Sequence, residues 1–262
     1  MRMEKEILII AGETSADQHG AALVNQLKAS SKGMSFFGIG GEKLRMEGVQ
    51  LVEHAGNMSV MGFVEVVSHY RRIRTVFNKV LSECEKKNPA RAILIDYPGF
   101  NLRLAKELKK RNIPVTYYIS PQLWAWKEKR IDVIRGCVEQ MLCIFPFEED
   151  WYHQRGIKAV YVGHPFLDGQ SQPMERYEFF EKHGISHDAI IVALMPGSRQ
   201  QEVNRHLKTM LKTVEILNKE AEITVIVGKA PGVELPKNIQ GKIFIESDIP
   251  EMALKYASLG IV

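Results

Sequence analysis

Cysteine is scarce in this chain. Cys84, Cys137 and Cys143 make an odd number with no C-x-x-C spacing, which argues against a disulfide framework or a zinc ribbon and leads us to expect reduced core thiols in a cytoplasmic protein. The eight histidines form no His/Cys cluster, so no structural metal is expected. Long apolar runs are missing. No stretch approaches the ~20 residues of a membrane span, and the apolar part of "MRMEKEILIIAGE" is too short for a secretory signal. Also absent are G-K-[ST], G-x-G-x-x-G and G-x-S-x-G, which weakens the readings of a phosphate-loop NTPase, a dinucleotide-dependent oxidoreductase and an α/β-hydrolase. Charge of one sign is not abundant either. The net charge of +4 permits an anionic partner such as a phosphate or a membrane surface but does not demand one, and no nucleic acid is expected.

What is present is ordinary globular composition, 45% hydrophobic and 25% charged over 262 residues, enough for two domains or one large one. Apolar runs at 6–12, 34–41, 91–96, 113–120, 140–145 and 158–163 read as strands, with helical patterns at 16–30, 63–87, 99–111, 125–135 and 147–155. Continuous apolar strands alternating with helices predict a parallel sheet covered on both faces. "GHPFLDGQSQP" (163–173) is polar and turn-rich, and a short amphipathic piece follows at 174–185. The pattern then restarts, with strands at 189–195, 222–228, 242–247 and 259–262 and helices at 199–220 and 249–257. We therefore expect an α/β protein with a Rossmann-like domain at 1–165, a linker and short helix at 166–188, and a second, partial Rossmann-like domain at 189–262. Ligand would bind in the crevice at the carboxyl ends of both sheets.

Several strand ends carry polar residues. "IIAGETSADQHG" (9–20) places Glu13, Thr14, Ser15 and Asp17 at a sheet edge; Ser15 or Asp17 could equally cap the following helix. Asp96 ends the strand in "ILIDYPGFN" (93–101), where it is placed to act as a general base, or alternatively to cap the next helix or pair with Arg103. In "SPQLWAWKEKR" (120–130), Trp124 and Trp126 cannot both face inward on a regular helix. One of them could line the cleft beside Lys127, Lys129 and Arg130; the alternative is rim packing with a solvated basic face. "MPGSRQQEV" (195–203) ends a strand in a tight turn with Ser198 and Arg199. It reads either as an anion site built from helix-start N–H groups and a guanidinium, or as a plain turn with Ser198 as N-cap and Arg199 in solvent. In "MGFVEVVSHYRRIRTVF" (61–77), Phe63, Val66, Val67, Tyr70, Ile73 and Phe77 share a face, Val64 and Val76 add apolar surface off it, and Arg71, Arg72 and Arg74 lie alongside. An interfacial helix at an anionic bilayer has this composition, and so does a core helix with a solvated Arg face.

Taken in order, these stretches resemble lipid-A-disaccharide synthase, a family of inverting GT-B glycosyltransferases. The resemblance rests on Gly12-Glu13-Thr14-Ser15 with Asp17, Gly38-Ile39-Gly40-Gly41, "MGFVEV" (61–66), "IDYPGFN" (95–101), "YISPQLWAWKEKR" (118–130), "FPFE" (145–148), "VGHP" (162–165) and "MPGSRQQEV" (195–203). It implies a GT-B fold of two Rossmann-like domains facing a cleft, and transfer of diacylglucosamine from UDP to the primary hydroxyl of diacylglucosamine 1-phosphate, with no cofactor or metal. It implies Asp96 as base, and a substrate-binding set that we take as Glu13, Ser15, Asp17, Asn101, Trp126, Ser198, Arg199 and Glu202. The expected partners are the two acylated sugars and the inner-leaflet membrane surface, touched through Phe63, Val64, Val67, Arg71 and Arg72 by a cytoplasmic, peripheral protein; a homodimer is the family's expectation for the full-length form. The chain departs from the family pattern at Ala16, where a glycine is common, and at Gly99, where a second aspartate is frequent, which leaves Asp96 alone as base. The family continues past the point reached at Val262 with a Ser/Gly/Thr-rich loop and a Glu that complete the UDP site. The resulting expectation is an incomplete second domain, with weak UDP binding, no turnover by the 262-residue chain and faster amide exchange than in the first domain. The rival readings are a remnant that binds acylated sugar phosphate without turnover, and an NAD-dependent Rossmann oxidoreductase, against which the missing glycine fingerprint counts.

Overall fold

The structure is a computed structural model that describes residues 5–31, 33–58, 66–165, 174–236 and 243–262, with the side chains of 66–70 left aside. The chain divides into two compact units, Met1–Gly169 and Gln170–Val262.

The first unit is built on β1 (Lys5–Ala11), β2 (Met34–Gly40), β3 (Gln50–His54), β4 (Arg91–Ile95), β5 (Val115–Tyr118), β6 (Gln140–Cys143) and β7 (Ala159–Tyr161), with helices α1 (Thr14–Ser30), α2 (Glu42–Met46), α3 (Val66–Lys87), α4 (Pro98–Lys110), α5 (Ile131–Cys137) and α6 (Pro146–His153) between them. The sheet order is β3-β2-β1-β4-β5-β6-β7, and every pairing is parallel. The uninterrupted apolar run of β1 follows from burial on both sides. Leu8 and Ile10 join the core cluster that also holds Val76 and Val80 of α3 and Leu104 of α4, while Ile7, Ile9 and Ala11 pack with Ala16, Ala21 and Val24 of α1. Cys84 and Cys143 are free and buried, and burial pushes both thiols up to about 12.

Three local expectations change. β3 and α2 were not among the runs read from the sequence: "QLVEH" is an edge strand with polar alternation, and five residues of α2 are too few to show a helical period. The helix expected at 125–135 is instead a turn followed by a 3-10 segment at Glu128–Arg130 and then α5, because Lys127 sits in the left-handed region (φ 56°) and breaks the helical path. Val76 adds no loose apolar surface; it is buried in the core.

The second unit contains α7 (Arg176–His183), β8 (Ile190–Leu194), α8 (Gln200–Leu217), β9 (Ile223–Gly228), β10 (Ile243–Glu246), α9 (Met252–Lys255) and β11 (Leu259–Ile261). Its order is β10-β9-β8-β11, again parallel throughout. Met210 of α8 covers Val192, Leu194, Val225 and Val227. The other face takes Phe179 and Phe180 of α7 with Met252 and Ala253 of α9, so α7 is part of this unit's core rather than a free connector.

One buried carboxylate ties α7 to this sheet. Glu246, at the end of β10, is 1% exposed. Its Oε2 accepts from Lys182 Nζ at 2.8 Å and lies 2.8 Å from His183 Nε2. Its Oε1 accepts the backbone N–H groups of Asp248 and Ile249 at 2.7 and 3.0 Å. Burial opposes the charge, but the bonds from Lys182, the Ile249 amide, His183 and the Asp248 amide outweigh it and hold the carboxyl at about 2. A carboxyl depressed from its ordinary 4.5 stabilises the fold above that value and stops doing so as pH falls toward 2. Glu246→Gln is therefore expected to destabilise the second unit by about 3 kcal/mol at neutral pH, the usual cost of removing one partner from a buried ion pair. Thermal unfolding across acid pH checks this: the difference between the two proteins narrows as pH drops below the carboxylate range.

Candidate functional site

In the first sheet the chain passes from β1 to β2 and β3 on one side and returns to β4 on the other. The crevice of an open parallel sheet lies at such a reversal, outside the carboxyl ends of the strands. The residues that leave β1 and β4 there are Gly12-Glu13 and Asp96-Tyr97.

Asp96 and Tyr97 are both left-handed, with φ of 44° and 47°. Each non-glycine residue in that region costs on the order of 1–2 kcal/mol, so the turn needs external support. Asn101, fully buried, supplies part of it: its Nδ2 donates to the carbonyls of Ile95 and Asp96 at 3.1 and 2.7 Å. The Tyr117 hydroxyl donates to the same Asp96 carbonyl at 2.6 Å, and the Asp96 amide donates to Tyr118 at 3.0 Å. Pro98 then starts α4 with its φ already set. The Tyr97 ring lies over Gly12, where a Cβ would come within 2.7 Å of Tyr97 Cδ1. This arrangement leaves the Asp96 side chain half-buried at the crevice. Its carboxyl is raised above the usual carboxylate range by burial and then by the charge of Glu13. A carboxylate made more basic in this way is suited to accept a proton from a hydroxyl.

Two expected binding residues are structural here. Asn101 holds the Asp96 turn from beneath and is buried away from solvent. Asp17 is buried too: its carboxylate accepts the backbone N–H groups of Gly41 (2.6 Å), Lys43 (3.1 Å) and Leu44 (3.1 Å). It therefore caps α2 from a neighbouring helix instead of its own. Gly41 is required at this contact, because a Cβ would stand 2.6 Å from Asp17 Oδ2. Ser15 is exposed and Glu13 half-buried at the start of α1. His19, on the next turn of α1, is half-buried, and burial, His164 and Lys43 lower its pKa. Neither His19 nor Tyr117 was singled out from the sequence: Tyr117 looks like any aromatic in a buried strand, and His19 has no motif partner within α1.

After β5, Trp124 and Trp126 are both exposed on the non-helical turn. Trp124 is fixed by a bond from its indole N–H to Glu148 Oε1 (3.1 Å), and Lys127 Nζ stands 4.3 Å from the centre of the Trp126 ring. Of the expected membrane contacts, Phe63 and Val64 lie outside the described residues, as does the side chain of Val67; Arg71 and Arg72 are exposed on α3.

The second unit repeats the reversal, with β9 and β10 on one side of β8 and β11 on the other. The turn after β8 contains Gly197 at φ 129°. Glu202 Oε2 accepts the amides of Ser198 and Arg199 at 2.9 and 3.1 Å, and Oε1 lies 3.8 Å from Arg199 Nη1. The cap is therefore Glu202, the third residue of α8, with Arg199 at the N-cap position; the Ser198 hydroxyl does not serve as N-cap. The two leading N–H groups hold the Glu202 carboxylate, as helix-start donors favour an anion, and this gives Glu202 a capping role. The Arg199 side chain is 72% exposed. Among the described residues no group of three or more His, Cys, Asp or Glu could hold a metal ion.

Two all-parallel α/β units, each with polar residues gathered at its reversal point, define a protein of the GT-B fold class. Solved structures agree: UDP-GlcNAc 2-epimerase from Neisseria meningitidis (TM-score 0.59, 9% identity, covering 96% of this chain and 74% of that one) and the glycotransferase of kitacinnamycin (TM-score 0.61, 12% identity, 99% and 75%) share the fold. Sequence narrows the class. The family model for LpxB, lipid-A-disaccharide synthetase, matches residues 7–242, and the chain belongs to that family. It is 41% identical over 254 residues to lipid-A-disaccharide synthase of Myxococcus xanthus, covering 94% of this chain and 66% of that protein. It is 46% identical over 213 residues to that of Syntrophus aciditrophicus, covering 81% and 56%. The chain thus spans between 56% and 66% of the length of these two relatives.

The Asp96 turn yields a stability prediction. Asn101→Ala removes both side-chain bonds, while the Tyr117 hydroxyl still serves the Asp96 carbonyl, so the expected cost is about 1–3 kcal/mol in all. A drop in thermal midpoint well beyond that of an exposed control such as Asn78→Ala is the expected outcome; equal midpoints would mean that the turn holds without the amide.

Proposed function

We propose that the protein acts in lipid A assembly, transferring diacylglucosamine from UDP to the primary hydroxyl of diacylglucosamine 1-phosphate. The observation that carries this reading is Asp96, a carboxylate of raised basicity held on a clamped left-handed turn at the crevice of the first sheet, in a chain of this family. Asp96 takes the hydroxyl proton as the acceptor oxygen attacks the anomeric carbon. The bond to UDP breaks on the opposite face, and the leaving diphosphate takes the electron pair. Arg199, exposed at the turn before α8, forks onto that diphosphate, which neutralises the charge that develops there. Ser198 adds a hydroxyl. The neighbouring amides become available when the Glu202 carboxylate yields its place. Glu13 supports Asp96 electrostatically, and Ser15 lies on the same edge. A UDP-sugar donor accords with a protein of the same fold whose structure was solved with UDP-GlcNAc bound. On this reading residues 1–165 form the acceptor domain and 189–262 belong to the donor domain. Both substrates are acylated, so the site works at a membrane surface, with the stretch that contains Val64, Val67, Arg71 and Arg72 as a contact.

Three outcomes test this reading. Asp96→Asn lowers kcat by roughly 10²–10⁴, the usual contribution of a general base, with acceptor KM little changed; wild-type turnover would remove Asp96 from the mechanism. Arg199→Ala weakens UDP binding by calorimetry, and Arg199→Lys restores it only in part, since an ammonium is a point charge and not a two-pronged donor. Equal affinity in all three proteins would reduce this stretch to a turn. Val64→Ser with Val67→Ser reduces sedimentation with anionic vesicles, and salt reduces it further; indifference to both returns the stretch to the core.

A further inference from the structure

Trp126, one of the expected substrate contacts, stands on a loop whose shape is set from underneath. The loop runs from Ile119 to Lys127, and both of these end residues are left-handed, with φ of 63° and 56°. A β-branched residue is strained in that region, so the loop needs anchors. Leu123 supplies one by burying its side chain in the core of the first unit. Helix α6 supplies the others. The hydroxyl of Tyr152, a fully buried residue, donates to the Pro121 carbonyl at 2.9 Å. Phe147 meets the Trp124 ring edge-on at 5.1 Å. Glu148, also fully buried, accepts the Trp124 indole N–H at 3.1 Å. From there the amides of Ala125 and Trp126 both donate to the Gln122 carbonyl, at 3.2 and 3.3 Å, and the Trp126 side chain is left 57% exposed.

Glu148 does more than cap its own helix. As the third residue of α6 it accepts the Phe145 amide at 3.2 Å through Oε2, and one oxygen is enough for that cap. Burial is not needed for it either: Glu202 makes the same cap on α8 while its side chain stays 36% exposed. Burying a carboxylate costs stability unless its bonds repay it. The second oxygen, Oε1, takes a donor 24 residues back in the chain. Both partners are N–H groups. A carboxylate accepts from both at once, whereas a glutamine has one acceptor and would turn its NH2 on one of them. We infer that Glu148 is a positioning residue for substrate binding: through the Trp124 indole it holds the loop from Ile119 to Lys127, and with it Trp126, in the orientation that receives the acceptor sugar. It touches no substrate itself. Naming the acceptor rests on the sugar-transfer reading; the ordering of Trp126 does not.

The chain has three tryptophans, so labelling with 5-fluorotryptophan gives three fluorine resonances, assigned with Trp124→Phe, Trp126→Phe and Trp151→Phe. In the unchanged chain the Trp126 resonance is single and moves on titration with diacylglucosamine 1-phosphate. Glu148→Leu broadens or divides it. Acceptor KM then rises about tenfold while kcat changes by less than about threefold, the pattern of lost binding rather than lost chemistry. Glu148→Gln, which keeps one acceptor, recovers part of the loss. Trp124→Phe removes the indole N–H, leaves the cap of α6 intact and alters a side chain that is 41% exposed, so folding is not at stake; it produces the same changes as Glu148→Leu. The double variant is no worse than either single, because both delete one bond. Four results would each overturn the inference: a Trp126 resonance that neither Glu148→Leu nor Trp124→Phe alters; effects of the two that add; kcat that falls while acceptor KM holds; or a Trp126 resonance indifferent to acceptor in a chain that turns over. Absence of turnover in the unchanged chain would count against the sugar-transfer reading alone, since the ordering of Trp126 is still decided by its resonance in Glu148→Leu.

Discussion

A parallel strand buried on both faces has no room for polar chemistry along its length, and the fold depends on that constraint. Every interior position of β1 and β4 faces one core cluster or the other, so a carboxylate within either strand would be stranded without water. Polar groups are admitted where the strands end. Glu13 and Asp96 leave adjacent strands at the same edge, and in the second unit Ser198 and Arg199 follow β8 in the corresponding place. Residue chemistry is thus sorted by position along the strand before any ligand is considered.

Admission to the edge does not by itself aim a side chain. Asp96 is aimed by a backbone conformation that its own residue type disfavours, and the compensation comes from side chains separated from it in sequence or buried beneath it. Asn101 and Tyr117 both donate to the Asp96 carbonyl, and Gly12 makes room for the Tyr97 ring. Strain at a turn supported by buried hydrogen bonds is the arrangement expected of a preorganised functional residue. The same half-burial that positions the carboxyl also raises its basicity, so geometry and electrostatics have one cause.

Carboxylates recur in this structure as substitutes for missing caps. Asp17 closes the start of α2, Glu148 accepts an amide at the start of α6 and Glu202 closes α8. Helix-start N–H groups attract an anion, and the chain supplies its own in each case. A carboxylate near a helix start is therefore weak evidence of a ligand contact: Asp17 and Glu202, taken as binding residues from the family resemblance, both accept backbone N–H groups here.

The sequence by itself determined the alternation of strand and helix, the restart of that pattern after the turn-rich stretch near residue 170, and the positions of Asp96 and Arg199 just past strand ends. Each of these is written in local hydrophobic pattern and in Pro-Gly punctuation. Family membership was legible too, because many short motifs occur in a fixed order. Only the tertiary structure decided which polar residues are spent on backbone groups, since the partners of Asp17 are 24 to 27 residues away and Tyr117 reaches Asp96 from the neighbouring strand. It alone decided that "QLVEH" joins the sheet, because an edge strand needs only one buried side and leaves no apolar run to read. It alone decided that the two tryptophans sit on a turn, because one left-handed residue, Lys127, overrides a helical pattern that composition favours. Local periodicity records burial; it does not record which distant group satisfies a hydrogen bond.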